Sequence, residues 1–338
     1  MFCWRDGGSV KSNCAKGVSG MFRKLWQSGM IALARSRRVR NFAQHSRATS
    51  FLSGKYVSGE TPAAGIKRAQ ELLAGNGIRS SLFYMGEYVD DWDLVTQNID
   101  NKLDVAARLG QAGLDVHVSV DPTQIGHHLD PDVVAGHAER IAKAVQAAVG
   151  NKGGVNCLMF DMEDASLNDP TIAVHNRMQD MGLPVALTLQ AYLRRTRQDL
   201  QAQIARGSRV RLVKGAFAAP PDIAFTKRAD IKANSRALIG DMLSQQAREN
   251  GFYPIIATHD TALQDFTIET ARANGWAAGD YEFEMLLGVR EDVAKALAAK
   301  GERVRLYVPF GRDWWPHAAR RIGENPANAM LLMRSLFS

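Results

Sequence analysis

The chain has 338 residues, 46% hydrophobic and 23% charged, an ordinary balance for a globular protein with a large core, and long enough for two domains or one α/β barrel. Its net charge of +7 belongs to the head: residues 1–60 hold eleven Lys or Arg against Asp6 and Glu60, whereas residues 61–338 hold 31 basic against 33 acidic residues, too even a balance for nucleic-acid binding by the body. Cys3, Cys14 and Cys157 form neither a disulfide framework nor a metal box, and no apolar run is long enough to span a membrane, so a reducing, cytoplasmic setting is expected.

Residues 1–20, rich in Gly, Ser and Lys, read as a disordered extension. Residues 21–62 read as a basic helical segment, amphipathic over 21–40. That stretch fits peripheral contact with an anionic inner membrane or a partner, a solvated helix covering the barrel bottom, or an Arg-rich transit peptide. Met21 is a second candidate start.

Residues 63–338 read as a (βα)8 barrel. A helix over 64–74 stops at Gly75-Asn76-Gly77, a C-cap signal. Strands are predicted at Ser81–Met85, Asp115–Val120, Val155–Phe160, Val185–Leu189, Val210–Val213, Pro254–Ala257, Tyr281–Met285 and Val304–Val308. Helices are predicted at 92–109, 132–149, 171–181, 197–205, 223–249, 261–273, 290–299 and 314–323, with Asp130-Pro131 and Asp169-Pro170 as start signals. Short, strongly apolar strands alternating with helices imply a parallel sheet covered on both sides.

The chemistry of such a barrel sits at the C-terminal strand ends. Those ends carry Asp121, Asp161 with Glu163, Gln190, Arg211 with Lys214, Thr258-His259-Asp260, Glu284 and Tyr307. Helix caps alone do not require so many polar ends. In Arg209-Val-Arg-Leu-Val-Lys-Gly-Ala-Phe217 a strand runs into a cation beside a glycine, where phosphates can lie against the backbone; a Schiff-base nucleophile is the minor reading of Lys214. Arg320 and Arg321 suit a carboxylate, or form a surface pair with Glu324. His127-His128 lacks further metal ligands in register, so no metal is expected.

Five ordered motifs, Leu189-Gln-Ala-Tyr-Leu-Arg-Arg195, Arg211-Leu-Val-Lys-Gly-Ala216, Ala257-Thr-His259, Glu282-Phe-Glu-Met-Leu-Leu-Gly288, and Tyr307-Val-Pro-Phe-Gly with Arg320-Arg-Ile-Gly-Glu-Asn325, resemble the proline dehydrogenase family. The resemblance runs from about residue 81 to 330. It implies a distorted barrel holding FAD that oxidises L-proline to pyrroline-5-carboxylate by hydride transfer to flavin N5, with a quinone or other acceptor taking the electrons. It implies catalytic roles for Asp161, which orients active-site groups, and for Arg211, near N5, where its charge favours the reduced flavin. Gln190 would meet the flavin's pyrimidine edge. Met162, Val213, Lys214, Gly215 and Ala216 would line the cofactor, with Lys214 toward its phosphates, and Thr258, His259 and Asp260 would lie at its far half. Arg320 and Arg321 would grip the substrate carboxylate, and Tyr307 would wall the pocket.

Four residues depart from the family pattern. Asp121 stands where the family has Lys, Phe217 and His317 each where it has Tyr, and Asp260 where it has Asn. Asp121 is expected to turn away, to pair with Arg320 or Arg321, or to meet a cationic group of the substrate, and to be ionised because arginines lower its pKa. Asp260 would accept from a ribose hydroxyl or cap a helix. These changes leave open a different imino acid or amine as substrate.

Overall fold

The computed structural model describes residues 54–312, Trp314 and Trp315, apart from 87–88, 90 and 151–152. Ser58–Gly311 form one compact unit, the barrel; Met1–Val57 and Arg312–Ser338 group as a second. The expected extension at 1–20, most of the basic segment, and the final helix beyond Trp315 lie outside the described residues.

The barrel unit opens with α1 (Pro62–Asn76). The Thr61 hydroxyl accepts the Ala64 N–H at 3.3 Å, and Pro62 takes the first helical position, where a missing N–H costs nothing. Gly77, at φ 66°, closes the helix, at the predicted stop. Then follow β1 (Arg79–Tyr84), α2 (Trp92–Gln111), β2 (His117–Val120), α3 (Val134–Val149), β3 (Cys157–Phe160), α4 (Asn168–Asp180), β4 (Val185–Gln190), α5 (Thr196–Ala205) and β5 (Arg209–Val213). The chain continues through α6 (Arg228–Met242), α7 (Gln245–Glu249), β6 (Tyr253–Ala257), α8 (Thr261–Ala273), β7 (Glu282–Leu286), α9 (Glu291–Ala299) and β8 (Val304–Phe310). The eight strands are parallel and lie in chain order, and β8 pairs back onto β1 along six residue pairs from Arg79–Arg305 to Tyr84–Phe310. Each predicted strand run overlaps one of them.

The helix predicted over 223–249 is divided. Its first residues form a turn and an isolated bridge to Leu193 instead: Phe225 N–H donates to the Tyr192 carbonyl at 2.7 Å and Arg194 N–H to the Ile223 carbonyl at 2.9 Å. After α6 the Leu243 carbonyl is taken by Asn274 Nδ2 (2.8 Å) and Trp276 Nε1 (2.9 Å), and the Ser244 hydroxyl accepts the Ala247 N–H to start α7. Two side-chain donors thus occupy the carbonyl that a continuous helix would use.

Successive strand residues face opposite ways. Leu82, Val118, Val120, Leu158, Phe160, Leu187, Leu189, Val210, Leu212, Phe283, Leu306 and Val308 join the helices in one apolar cluster, each side chain contributing about 1.5–3 kcal/mol by burial. The opposite face is mixed. Cys157, Met159, Ala186 and Ile255 form a separate small apolar cluster, and around them lie charged residues. Arg305, fully buried, donates to Glu282 Oε1 at 2.8 Å, Asp115 Oδ2 at 2.7 Å and the Ser80 carbonyl at 2.8 Å. The buried Cys157 thiol is pushed up to about 12 by its burial, which leaves it an inert core group.

Candidate active site

On β3 to β5 and β7 to β8 the inward alternation ends in Asp161, Gln190, Arg211, Glu284 and Tyr307, toward the C-terminal mouth of the barrel. Arg211 organises them. Its guanidinium donates to Asp161, to Glu284 Oε1 at 2.9 Å, and to Thr188 Oγ1 at 3.1 Å from Nε and 2.8 Å from Nη2. Ser81 Oγ donates to the same Glu284 oxygen at 2.8 Å, and Tyr307 OH donates to Asp161 Oδ2 at 2.8 Å. The Arg211 guanidinium lies 5.4 Å from the Tyr307 ring centroid. Six strands, β1, β3, β4, β5, β7 and β8, therefore meet through one cation that is 5% exposed, and two carboxylates fix its orientation. Thr188 and Ser81, inward by alternation, were not singled out in the sequence, since a hydroxyl within an apolar strand carries no signal of its own.

Between this layer and the Arg305 cluster, His117, Glu282 and Glu284 place ligand atoms within 4.8 Å of one another. Arg305 and Arg211 already engage the two carboxylates. Burial, reinforced by Arg305, Arg211 and Arg209, holds His117 well below its ordinary pKa, so it is neutral. His127 and His128 stand edge to face, 6.3 Å apart.

Gln190 is 2% exposed. Its Nε2 donates to the carbonyls of Met162 (3.2 Å) and Glu163 (3.0 Å), while its Oε1 is buried with no partner. Beyond β5, the Val213 and Lys214 carbonyls accept from Ala191 and Tyr192 N–H groups at 2.8 and 2.9 Å. Gly215 is at φ 96°, and a Cβ there would fall 2.0 Å from a Tyr192 ring carbon, so only glycine fits. Lys214, Ala216 and Phe217 are exposed. At the end of β6, the Thr258 hydroxyl accepts the Asp260 N–H (3.1 Å), and His259 Nε2 accepts the Leu286 N–H (3.1 Å) while its carbonyl accepts from Arg290 (2.8 Å). Asp260 caps α8 by accepting the Ala262 N–H at 3.0 Å, and pairs with Lys232 at 2.7 Å. Of its two expected uses, the cap is present. His317, Arg320 and Arg321 lie outside the described residues.

Asp121 corrects an expectation. Arginines were to keep it ionised, yet burial raises its pKa, the Glu163 carboxylate adds to the rise, and Lys102 and Arg211 only partly oppose it. Glu163 itself accepts from the Thr123 N–H (3.0 Å) and hydroxyl (2.7 Å); burial raises its pKa against those bonds. Lys102, absent from the sequence reading, is 1% exposed and donates to Gln124 Oε1 at 2.7 Å. Burial pulls its pKa down, with Asp121 opposing. A signal for it existed: with Val95, Ile99, Val105, Ala106 and Leu109 it lies on the buried stripe of α2, a place where a lysine is out of pattern.

Among described residues no helix is long and apolar enough to cross a membrane. The barrel resembles solved structures of proline utilization A: one from Bdellovibrio bacteriovorus (TM-score 0.73, 18% identity, 82% of this chain) and one from Corynebacterium freiburgense (TM-score 0.66, 20% identity, 92% of this chain). This chain spans about a third of the length of those two, 33% and 34%, and the likeness establishes the (βα)8 fold. In sequence it is 31% identical over 322 residues to a proline dehydrogenase of Deinococcus radiodurans, covering 94% of this chain and 99% of that protein. It is 30% identical over 284 residues to proline dehydrogenase 2 of Bacillus subtilis, covering 84% and 90%. The proline dehydrogenase family model matches residues 66–334, and the chain belongs to that family.

Proposed function

We propose that the protein is an FAD-dependent oxidoreductase acting on the CH–NH group of L-proline, yielding 1-pyrroline-5-carboxylate and passing electrons to an acceptor such as a quinone. The observation that carries this reading is the inward cluster of Arg211, Asp161, Glu284 and Tyr307 at the barrel mouth, set in a chain that aligns over 94% of its length with a proline dehydrogenase.

The residues suit FAD. Gln190 Oε1 is a buried acceptor without a donor, and the pyrimidine edge of a flavin offers an N–H. Gly215 gives way to the Tyr192 ring, and the exposed Lys214 beside it supplies a cation for the phosphates. We assign Met162, Val213, Ala216, Thr258, His259 and Asp260 to the same lining, the last as a helix cap that holds the loop. Bound FAD supplies a two-electron acceptor for hydride. Asp161 and Glu284 hold the Arg211 guanidinium in one orientation, so its charge is preorganised and does not have to be gathered during the reaction. Tyr307 is fixed through its hydroxyl and presents its ring as a pocket wall, with Phe217 and His317 as further wall residues. Arg320 and Arg321 bind the substrate carboxylate.

The purified protein is expected to be yellow and to bleach when L-proline is added without oxygen; a spectrum unchanged at high proline refutes the reading. We further assign residues 21–40 to an anionic membrane surface, on their basic amphipathic sequence. Co-sedimentation with anionic vesicles, lost at high salt, is the expected result; equal recovery with neutral vesicles contradicts it.

A further inference from the structure

A lysine ammonium is among the costliest groups to bury unpaired, and Lys102 is almost fully enclosed. From the middle of α2 its Nζ reaches the mouth of the barrel, bonding Gln124 in the turn after β2 and lying 5.9 Å from the ring centroid of Tyr84 at the end of β1. Gln124 is held in turn, its Nε2 donating to the Tyr84 carbonyl at 2.9 Å. The glutamine is neutral; the opposite charge acting on Lys102 is that of Asp121.

Asp121 continues the inward alternation of His117 and Ser119. Val120 is in register with Phe160, and the Asp161 N–H donates to the Val120 carbonyl at 2.9 Å, so Asp121 stands beside Asp161 at the same level of the barrel. Among the described residues the charged groups around it are Lys102 from α2, Asp161 and Glu163 from the end of β3 and its loop, and Arg211 from β5. The other acids at this level are committed: Asp161 to Arg211 and Tyr307, Glu284 to Arg211 and Ser81, Glu163 to Thr123. Lys102 bonds Gln124 and leaves the Asp121 carboxylate to act through charge.

We propose that Asp121 takes the proton from the substrate's nitrogen, with Lys102, anchored by Gln124, as the positioning cation behind it. This rests on the proline-oxidising reading above. The substrate enters as a cyclic ammonium with two N–H bonds. One breaks, its electron pair stays on nitrogen and its proton passes to an Asp121 oxygen. The neighbouring ring C–H bond breaks with its pair leaving as hydride to the two-electron acceptor that FAD would supply, the nitrogen pair closes the C=N bond, and the protonated imine so formed gives up its remaining N–H proton to solvent on release. A carboxyl whose proton affinity is raised by its surroundings is better matched to an ammonium than an ordinary one, and Lys102 keeps that affinity from rising so far that the group is never ionised.

The test is anaerobic bleaching of the full-length holoenzyme by L-proline from about pH 6 to 10, for the wild type, D121N and K102M, with flavin content measured first. Wild-type bleaching is expected to rise with pH through one ionisation. D121N should bleach at least about 100-fold more slowly at neutral pH, its rate following the ammonium of free proline. In K102M the inflection should move up by about one pH unit or more, because a cation that favours the carboxylate has gone. A flat wild-type profile, a D121N that keeps the wild-type rate and inflection, or a K102M inflection that stays or falls overturns the proposal. If the wild type bleaches with proline at no pH, the oxidation reading itself fails and takes the proposal with it, so the wild-type trace separates the two failures. Should D121N lose its flavin, the K102M inflection decides alone.

Discussion

Asp161 serves two partners of unequal weight: it holds a buried guanidinium by charge and accepts a phenol by one neutral hydrogen bond. Removing the charge in Asp161→Ala strands part of the Arg211 cation, a loss of about 3–5 kcal/mol in unfolding free energy. Tyr307→Phe removes a single bond, about 0.5–1.5 kcal/mol. Urea unfolding of both variants measures the order; equal losses contradict the assignment of Asp161 chiefly to Arg211. At this scale the sequence was most legible where a polar residue closes an apolar strand, as at Asp161, Arg211 and Tyr307. It was least legible where the decisive partner comes from another element: nothing near Asp121 in the chain announces Lys102, nineteen residues earlier on the apolar stripe of a helix. The charge on Asp121 was misjudged for the same reason, since burial and Glu163 act across strands.

Helix α4 carries a histidine on its buried face. His175 packs edge-on to Phe160, with ring centroids 6.1 Å apart, and its Nδ1 lies 3.1 Å from Asn176 Oδ1. Burial lowers its pKa to about 4, against about 6.5 in an unfolded chain. Between these values the unfolded chain holds the proton and the native helix does not, so stability present above about pH 6.5 is lost as the pH falls toward 4, by at most about 3 kcal/mol. His175→Gln is expected to flatten unfolding free energy over that window, leaving the same-signed slope of His117; an unchanged pH dependence refutes the assignment. Element boundaries followed the local signals where those signals act alone, as at Thr61-Pro62 and Gly77. They failed at Leu243-Ser244, where the interruption is imposed by Asn274 and Trp276 from the end of α8 and the loop beyond it.

At the level of the whole barrel, alternation of strands and helices was enough to give the architecture, because a parallel sheet buried on both faces leaves few other solutions. The polarity of the interior was not legible. Arg305 and Glu282 sit within strand runs that read as apolar, and only closure of the circle brings Arg305 to Glu282, Asp115 and Ser80. That closure has a consequence for synthesis. Strand β1 is paired with β8 along all six of its residues but with β2 along only two, so a chain emerging from the ribosome carries one edge of β1 unpaired until residues 304–310 have been made. During that wait Glu282 also lacks its cation, and Asp115 has only Arg79. Such an edge is a template for pairing with other chains, and the fold is completed by its most distant contacts. A chain stopped at Arg303 is therefore expected to remain protease-sensitive and to aggregate, whereas the full chain is protected; protection of the shorter chain contradicts this. The last strand made is the one that releases the nascent protein from the risk carried by the first.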